Sequence, residues 1–352
     1  MSEGEFHYTD LYRDVVPAVV SIYVDAPDAR TGRGAGSGFV YDRTGHVVTN
    51  HHVVAGLARD GAGRSRGLPD ESGSPTLEIR FSDGDWRVGR LVGTDPYTDL
   101  AVVAVDDLPA AATPLPVAST NPAPGQPVAA FGNPMGLDGT ITTGIVSGVS
   151  RTMPVGGGFT IPDVVQTDAP INPGNSGGPL VAVTADGTPE VVGVNRARSG
   201  DNIGFAISPA VVARVVPDLL ETGRCEHATL RVTTLDVSPA VADANDLTEP
   251  GGVLVVDVRE GPASGVLGGC HSSRRVRGRE VPVGGDVLVG IDGEDIRSTE
   301  ELTSYLLTET WPGETAELTV RRPAGETRET VQLGTRIDPG ENGEIGGRIA
   351  VQ

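Results

Sequence analysis

The run Gly174-Asn175-Ser176-Gly177-Gly178-Pro179 sets one serine in a frame of glycines. A serine hydroxyl is a weak nucleophile. It needs a general base within hydrogen-bond reach and backbone N–H groups facing the developing oxyanion. Glycines on both sides permit the tight turn that exposes the hydroxyl and aims nearby N–H groups at one point. Alone, such a run is commonly only a turn, so the chemistry depends on a base and an acid elsewhere. The base has to be histidine, and the chain has six: His7, His46, His51, His52, His227 and His271. His51 and His52 stand together in Thr49-Asn50-His51-His52-Val53, after a strand-like run. A carboxylate must orient the imidazole and favour the imidazolium as it forms. Asp99, just ahead of the apolar run LAVVAV, is well placed to be partly buried. Asp95 is the alternative, although Pro96 after it marks a turn. Asp168 is near the serine and is expected to form structural hydrogen bonds.

Other constellations are weaker. Cys225, His227, Cys270 and His271 have the residue types of a zinc site, but their spacing fits no zinc pattern. Free thiols rank first for the two cysteines, a disulfide second and zinc third. No metal or organic cofactor is expected. Gly32-Arg33-Gly34-Ala35-Gly36-Ser37-Gly38 matches neither phosphate-binding glycine pattern and reads as a loop leading into a strand. Arg274, Arg275, Arg277 and Arg279 cluster without interleaved aromatics, so they read as a solvated loop and not a nucleic-acid site.

The elements that must position the serine, histidine and aspartate are short strands. SGFVY, a turn at Asp42–Gly45 and HVVTNHHVV form one strand–turn–strand unit. VVPAVVSIYV (15–24) is strand-like, with Pro17 pushing its start toward an edge. LEIRF and WRVGRLVG flank a Ser82-Asp83-Gly84-Asp85 turn. Residues 57–76 are read as a solvated loop. Short strands separated by glycine and proline continue to about 208, a rhythm of barrels or sandwiches and not of parallel βαβ units. ISPAVVARVVPDLLETG (207–223) is a helix that closes this region. Beyond it, GGVLVVDV, a hairpin around Asp292-Gly293, a capping box at Ser298-Thr299-Glu300-Glu301 and a final hairpin outline a smaller β-rich domain.

Composition narrows the class further. The 352 residues suggest two domains. All 27 basic residues are Arg and 47 residues are acidic, giving a net charge of −20. That balance argues against binding nucleic-acid phosphates, and no apolar run is long enough for a membrane span. Acid enrichment without Lys resembles proteins of extreme halophiles, since molar salt screens the self-repulsion. The N-terminus carries acids where a secretory leader needs basic residues, which leads to an expectation of a cytoplasmic chain.

Together these motifs resemble the HtrA (Deg) family of trypsin-like serine proteases. Thr49–Val53 matches its T-N-x-H-V element. Asp95–Val102 matches D-x-x-x-D-L-A-V, and Gln166–Leu180 matches the nucleophile element at length. Gly36-Ser37-Gly38-Phe39, Phe131-Gly132-Asn133-Pro134 and Gly204-Phe205-Ala206-Ile207 agree as well. The chain order His, Asp, Ser is that of chymotrypsin-like enzymes. The resemblance implies a mainly β, chymotrypsin-like double β-barrel over 9–222, after a tail at 1–8. It makes His52 the general base, Asp99 its orienter and Ser176 the nucleophile, with the amides of Gly174 and Ser176 as oxyanion hole. Pro170 lies six residues before the serine, where an acid would select basic side chains. With Ile171, Val192, Gly193, Val194 and Asn195 it suggests a pocket for small or medium apolar side chains.

Residues 223–335 resemble a PDZ domain, followed by a tail at 336–352. In it, Leu230-Arg231-Val232 takes the place of the loop that holds a peptide's C-terminal carboxylate. The implied function is ATP-independent endoproteolysis of unfolded or damaged polypeptides through an acyl-enzyme. The alternative is a protein-binding chaperone module without turnover, and an esterase ranks third. The aromatics Phe6, Tyr8, Tyr12 and Tyr23 near the N-terminus suggest a homotrimer, as in family members.

Overall fold

The computed structural model describes residues 7–25, 34–55, 76–133, 139–155, 159–198 and 203–336. Most of the loop expected at 57–76, Phe6, Gly32, Arg33, Pro134 and nearly all of the C-terminal tail lie outside the described residues. The chain divides into two compact units that part between Cys225 and Glu226.

The first unit opens with helix α1 (Tyr8–Val15) and a 3-10 turn at Val16–Ala18. Leu11 and Val15, four residues apart, bury one face of α1. The strand expected from residue 15 therefore begins only at Val19, because Pro17 sits in the 3-10 turn. Six strands follow: β1 (Val19–Asp25), β2 (Gly34–Val40), β3 (His46–Asn50), β4 (Thr76–Phe81), β5 (Trp86–Asp95) and β6 (Leu100–Val105). They close into an antiparallel barrel in the order β1-β2-β3-β6-β5-β4. All six residues of β6 are buried, as its unbroken apolar run requires. The strand expected over 46–54 stops at Asn50. His51–Val54 forms a helical turn, α2, whose first N–H donates to the Asp99 carbonyl at 3.0 Å.

Six more strands make the second barrel: β7 (Pro127–Gly132), β8 (Thr140–Val155), β9 (Phe159–Thr167), β10 (Pro179–Val183), β11 (Pro189–Arg198) and β12 (Gly204–Ile207). Its order is β10-β11-β12-β9-β8-β7. Val128, Ala130, Val146, Val165, Leu180 and Ala206 fill its core. Helix α3 (Pro209–Thr222) starts at the Ser208 cap, with Pro at its first position, and ends at left-handed Gly223.

The second unit is a smaller mixed assembly. Strand β13 (Ala228–Thr229) pairs with a late strand described below, and β14 (Val232–Asp236) precedes helix α4 (Pro239–Ala244). Then come β15 (Val253–Val258), β16 (Ser272–Val276), β17 (Arg279–Val283), β18 (Val287–Ile291) and β19 (Glu294–Asp295). Helix α5 (Thr299–Thr308), β20 (Thr315–Arg322), β21 (Gly325–Gln332) and β22 (Gly334–Thr335) complete it. The main sheet runs β14-β15-β18-β20-β21, with β19 on β18, and β13 pairs with β22. Ser298 caps α5 by accepting from the Glu301 N–H at 3.2 Å.

The arginine-rich stretch expected to be a solvated loop is instead the hairpin β16–β17. Arg277 and Gly278, both at positive φ, form its turn. Val281 is buried against Val241 and Ala242 of α4, and Val276 and Val283 pack there too. Arg274 forks onto Asp246 with two bonds of 3.0 Å, and Arg277 lies 3.6 Å from Asp243, so the cluster is partly neutralised within the chain.

Candidate active site

The site assembles where the helical turn α2, the β5–β6 turn, the loop before β10 and strand β11 meet. His52 lies in α2, and its Nδ1 is 2.8 Å from Asp99 Oδ2. Its backbone N–H donates to Asp99 Oδ1 at 2.9 Å. Asp99 has φ 60, a left-handed conformation that Asp tolerates better than most side chains. The Asp99 carbonyl is held by Asn50 Nδ2 and by the His51 N–H, both at 3.0 Å. The carboxylate is nearly closed off from water. Burial pushes its pKa up, but the two His52 bonds and the Arg196 charge outweigh burial and hold it below the usual value.

The two rivals in the sequence turn elsewhere. His51 Nδ1 is bonded to Thr94 Oγ1. Asp95 accepts the Tyr97 N–H at 3.1 Å and the Thr98 hydroxyl, fixing the turn that presents Asp99. Asp168 accepts the Ile145 N–H at 2.7 Å, as a structural group would.

Ser176 sits in a turn built by glycines. Gly174 and Gly177 have φ 102 and 85, and a Cβ on Gly178 would overlap the Phe131 carbonyl oxygen. The turn's backbone bonds run from Asn175 to Asn172, from Gly177 to Asn195 and from Gly178 to Asn175. They use neither the Gly174 nor the Ser176 N–H. The Ser37 N–H donates to the Ser176 carbonyl at 2.8 Å, tying the turn to β2. The Ser176 hydroxyl donates to the Arg196 carbonyl at 2.7 Å. Among the described residues it makes no bond to His52.

Arg196 is the residue that sequence reading missed. Its Nε donates to Asp99 Oδ2 at 2.7 Å, the same oxygen that His52 uses. Its sequence signal is slight: an Arg just after the run VVGVN, with Arg198 two residues on.

Most of the residues expected at the pocket are buried. Val192, Val194 and Asn195 are buried to within 1%. Ile171 and Val192 belong to the barrel core, and Gly193 is buried as well. Asn195 bonds the Phe131 and Pro179 carbonyls, both at 3.1 Å, so it braces the barrel. The pairing of β11 with β10 shifts register at Val192, and of the expected set only Pro170 reaches the surface.

In the second unit Leu230 is buried in the core. Arg231 has φ 55 and reaches the Glu260 carbonyl at 3.3 Å. Val232 opens β14, which has one sheet neighbour, β15. Cys225 and Cys270 are not joined in a disulfide, and burial is the largest influence raising both pKa values. No group of three potential metal ligands occurs among the described residues. No helix among them is long and apolar enough to cross a membrane.

Comparison with known proteins agrees with the double-barrel fold. Residues 36–194 match the family described as trypsin-like peptidase domain. Protease Do-like 5, chloroplastic, of Arabidopsis thaliana is 38% identical over 237 residues, covering 61% of this chain and 69% of that protein. Serine protease PepD of Mycobacterium tuberculosis is 36% identical over 338 residues, covering 91% of this chain and 64% of that protein. The structure of the HtrA-type protease AlgW with a tripeptide superposes with a TM-score of 0.70 at 29% identity. It covers 95% of this chain and 99% of that one. The chain spans just under two thirds of the length of several curated relatives, 64% to 66%. The expectation of a cytoplasmic chain thus stands beside a relative named as chloroplastic. With its double barrel, its glycine-framed serine and relatives of this kind, the chain belongs to the HtrA, or Do-like, family of trypsin-like serine proteases.

Proposed function

We propose that this chain is a serine endopeptidase acting on unfolded or damaged polypeptides without ATP. One observation carries the reading. The buried Asp99 and the Ser176 hydroxyl, distant in sequence, both bond to Arg196, with His52 on the same Asp99 oxygen. In the first step the Ser176 hydroxyl leaves the Arg196 carbonyl and turns to His52 Nε2. As Oγ bonds the substrate carbonyl carbon, its proton passes to Nε2 and the carbonyl π pair moves onto oxygen. The Gly174 and Ser176 amides, free of the turn's own bonds, receive that oxyanion. Collapse breaks the C–N bond, and Nε2 returns the proton to the leaving amine. Water then bonds the ester carbon as His52 takes its proton, and collapse breaks the C–Oγ bond while Nε2 returns that proton to Ser176 Oγ.

The second unit is read as PDZ-like. Its strand β14 lies at a sheet edge, where an extended peptide can add by backbone pairing. Arg231 stands at the carboxylate-binding position and offers a guanidinium. The acidic, Lys-free composition is read as salt adaptation, and the N-terminal helix as part of a homotrimer contact, with Tyr8 exposed on it. Degradation of an unfolded protein in molar salt tests the enzymatic reading. Cleavage without ATP that is absent in both Ser176→Ala and His52→Ala supports it. Capture of the unfolded protein without cleavage would replace it by the chaperone reading.

A further inference from the structure

We propose that Arg196 is a positioning residue of the triad, one that fixes the Asp99 carboxylate and makes His52 a weaker base. The inference rests on reading His52 as the base. Arg196 Nε and His52 Nδ1 approach one oxygen, Asp99 Oδ2, at 2.7 and 2.8 Å. The Asp99 side chain is 5% exposed and that of Arg196 23%, so solvent screens their pairing only in part.

The charge balance follows from those contacts. A buried carboxylate beside an imidazole favours the imidazolium. A guanidinium on the same oxygen already neutralises that carboxylate. Protonating His52 then takes the cluster from neutral to one positive charge. Without Arg196 it would go from one negative charge to neutral. Among the described residues the other ionisable groups near α2 are engaged elsewhere. His51 bonds Thr94, His46 bonds Asp42, and Asp95 accepts from Tyr97 and Thr98. On β5, Arg87 and Arg90 pair with Asp85 and Asp106; on β1, Tyr23 stacks against Trp86; and β2 and β6 carry no ionisable side chain. Arg196 also touches the other end of the triad, since its carbonyl takes the Ser176 hydroxyl. One residue thereby contacts both the acid and the nucleophile.

The test is an NMR titration of the His52 imidazole in the full chain in molar salt. It compares the wild type with Arg196→Met, Arg196→Gln and Arg196→Lys. Removing the charge should raise the titration midpoint by about one pH unit in the Met and Gln variants. The Lys variant should titrate as the wild type does. The Gln variant keeps a donor for Asp99, which guards against loss of the fold. An unmoved midpoint in the Met or Gln variant, with a wild-type circular dichroism spectrum, would overturn the proposal. The titration does not depend on Ser176 reactivity. A shifted midpoint in a chain that never reacts at Ser176 would count against the nucleophile reading and not against Arg196.

Discussion

The Ser37 hydroxyl donates to the Gly174 carbonyl at 2.6 Å across 137 residues of sequence. It also accepts the Asn133 N–H at 2.8 Å. Ser37 is buried on β2 of the first barrel, whereas Gly174 and Asn133 belong to the nucleophile side of the second. One hydroxyl therefore sets how the serine turn sits against the histidine barrel. Ser37→Ala removes both bonds and leaves two backbone groups without a partner. We expect a loss of about 1–3 kcal/mol in urea unfolding. Reaction at Ser176 should slow by roughly ten- to a hundred-fold through misplacement of the turn.

Gly177→Ala tests the turn from the steric side. Gly177 has φ 85, and a Cβ there would overlap the Ser37 carbonyl oxygen and Thr49 Oγ1. Backbone oxygen cannot move aside as a side-chain tip can. The variant should fold less stably and lose activity against an unfolded protein, with Ser176 still in place. Wild-type activity in this variant would mean that the turn adopts another conformation in solution.

Acid stability should report on Asp99. Its folded pKa is lowered, since the His52 bonds and the Arg196 charge outweigh burial. A lowered folded value gives stability that is present above the unfolded value of about 3.9 and lost as pH falls through the folded one. Asp99→Asn lacks this contribution. As pH falls below about 4, the urea midpoint of the wild type should therefore fall more steeply than that of Asp99→Asn. Parallel midpoints would show that Asp99 is not held charged by its partners.

Salt should matter to the whole chain. At a net charge of −20 the compact state repels itself in dilute buffer. At about 1 M salt the Debye length is only ~3 Å. Circular dichroism should show unfolding on dialysis to low salt and recovery on return. An unchanged spectrum would sink the salt-adaptation reading and leave the acidic composition without that explanation.

Much of this was legible in the sequence because the informative features are local. The barrel strands announced themselves by short apolar runs and glycine turns, and α3 by its Ser208 and Gly223 ends. His52 and Asp99 were legible as motif residues beside strands that the sequence marks clearly. Arg196 was not, because its meaning depends on β11 reaching the β5–β6 turn, 97 residues away. The helical turn at His51–Val54 is too short to show a period, and a tertiary bond to the Asp99 carbonyl starts it. The β16–β17 hairpin was hidden by its arginines, whose partners Asp243 and Asp246 lie some thirty residues back. The burial of Val192 and Val194 was not legible either, since an apolar run on β11 does not say which side of the strand is covered.

Whether Ser176 is an activated nucleophile decides the enzymatic reading. Labelling with a fluorophosphonate in molar salt, read by intact mass and peptide mapping, tests it most directly. A single adduct on Ser176 is expected, absent in Ser176→Ala and strongly reduced in His52→Ala. No adduct on Ser176 in the folded wild type, even with an unfolded protein added, would contradict it.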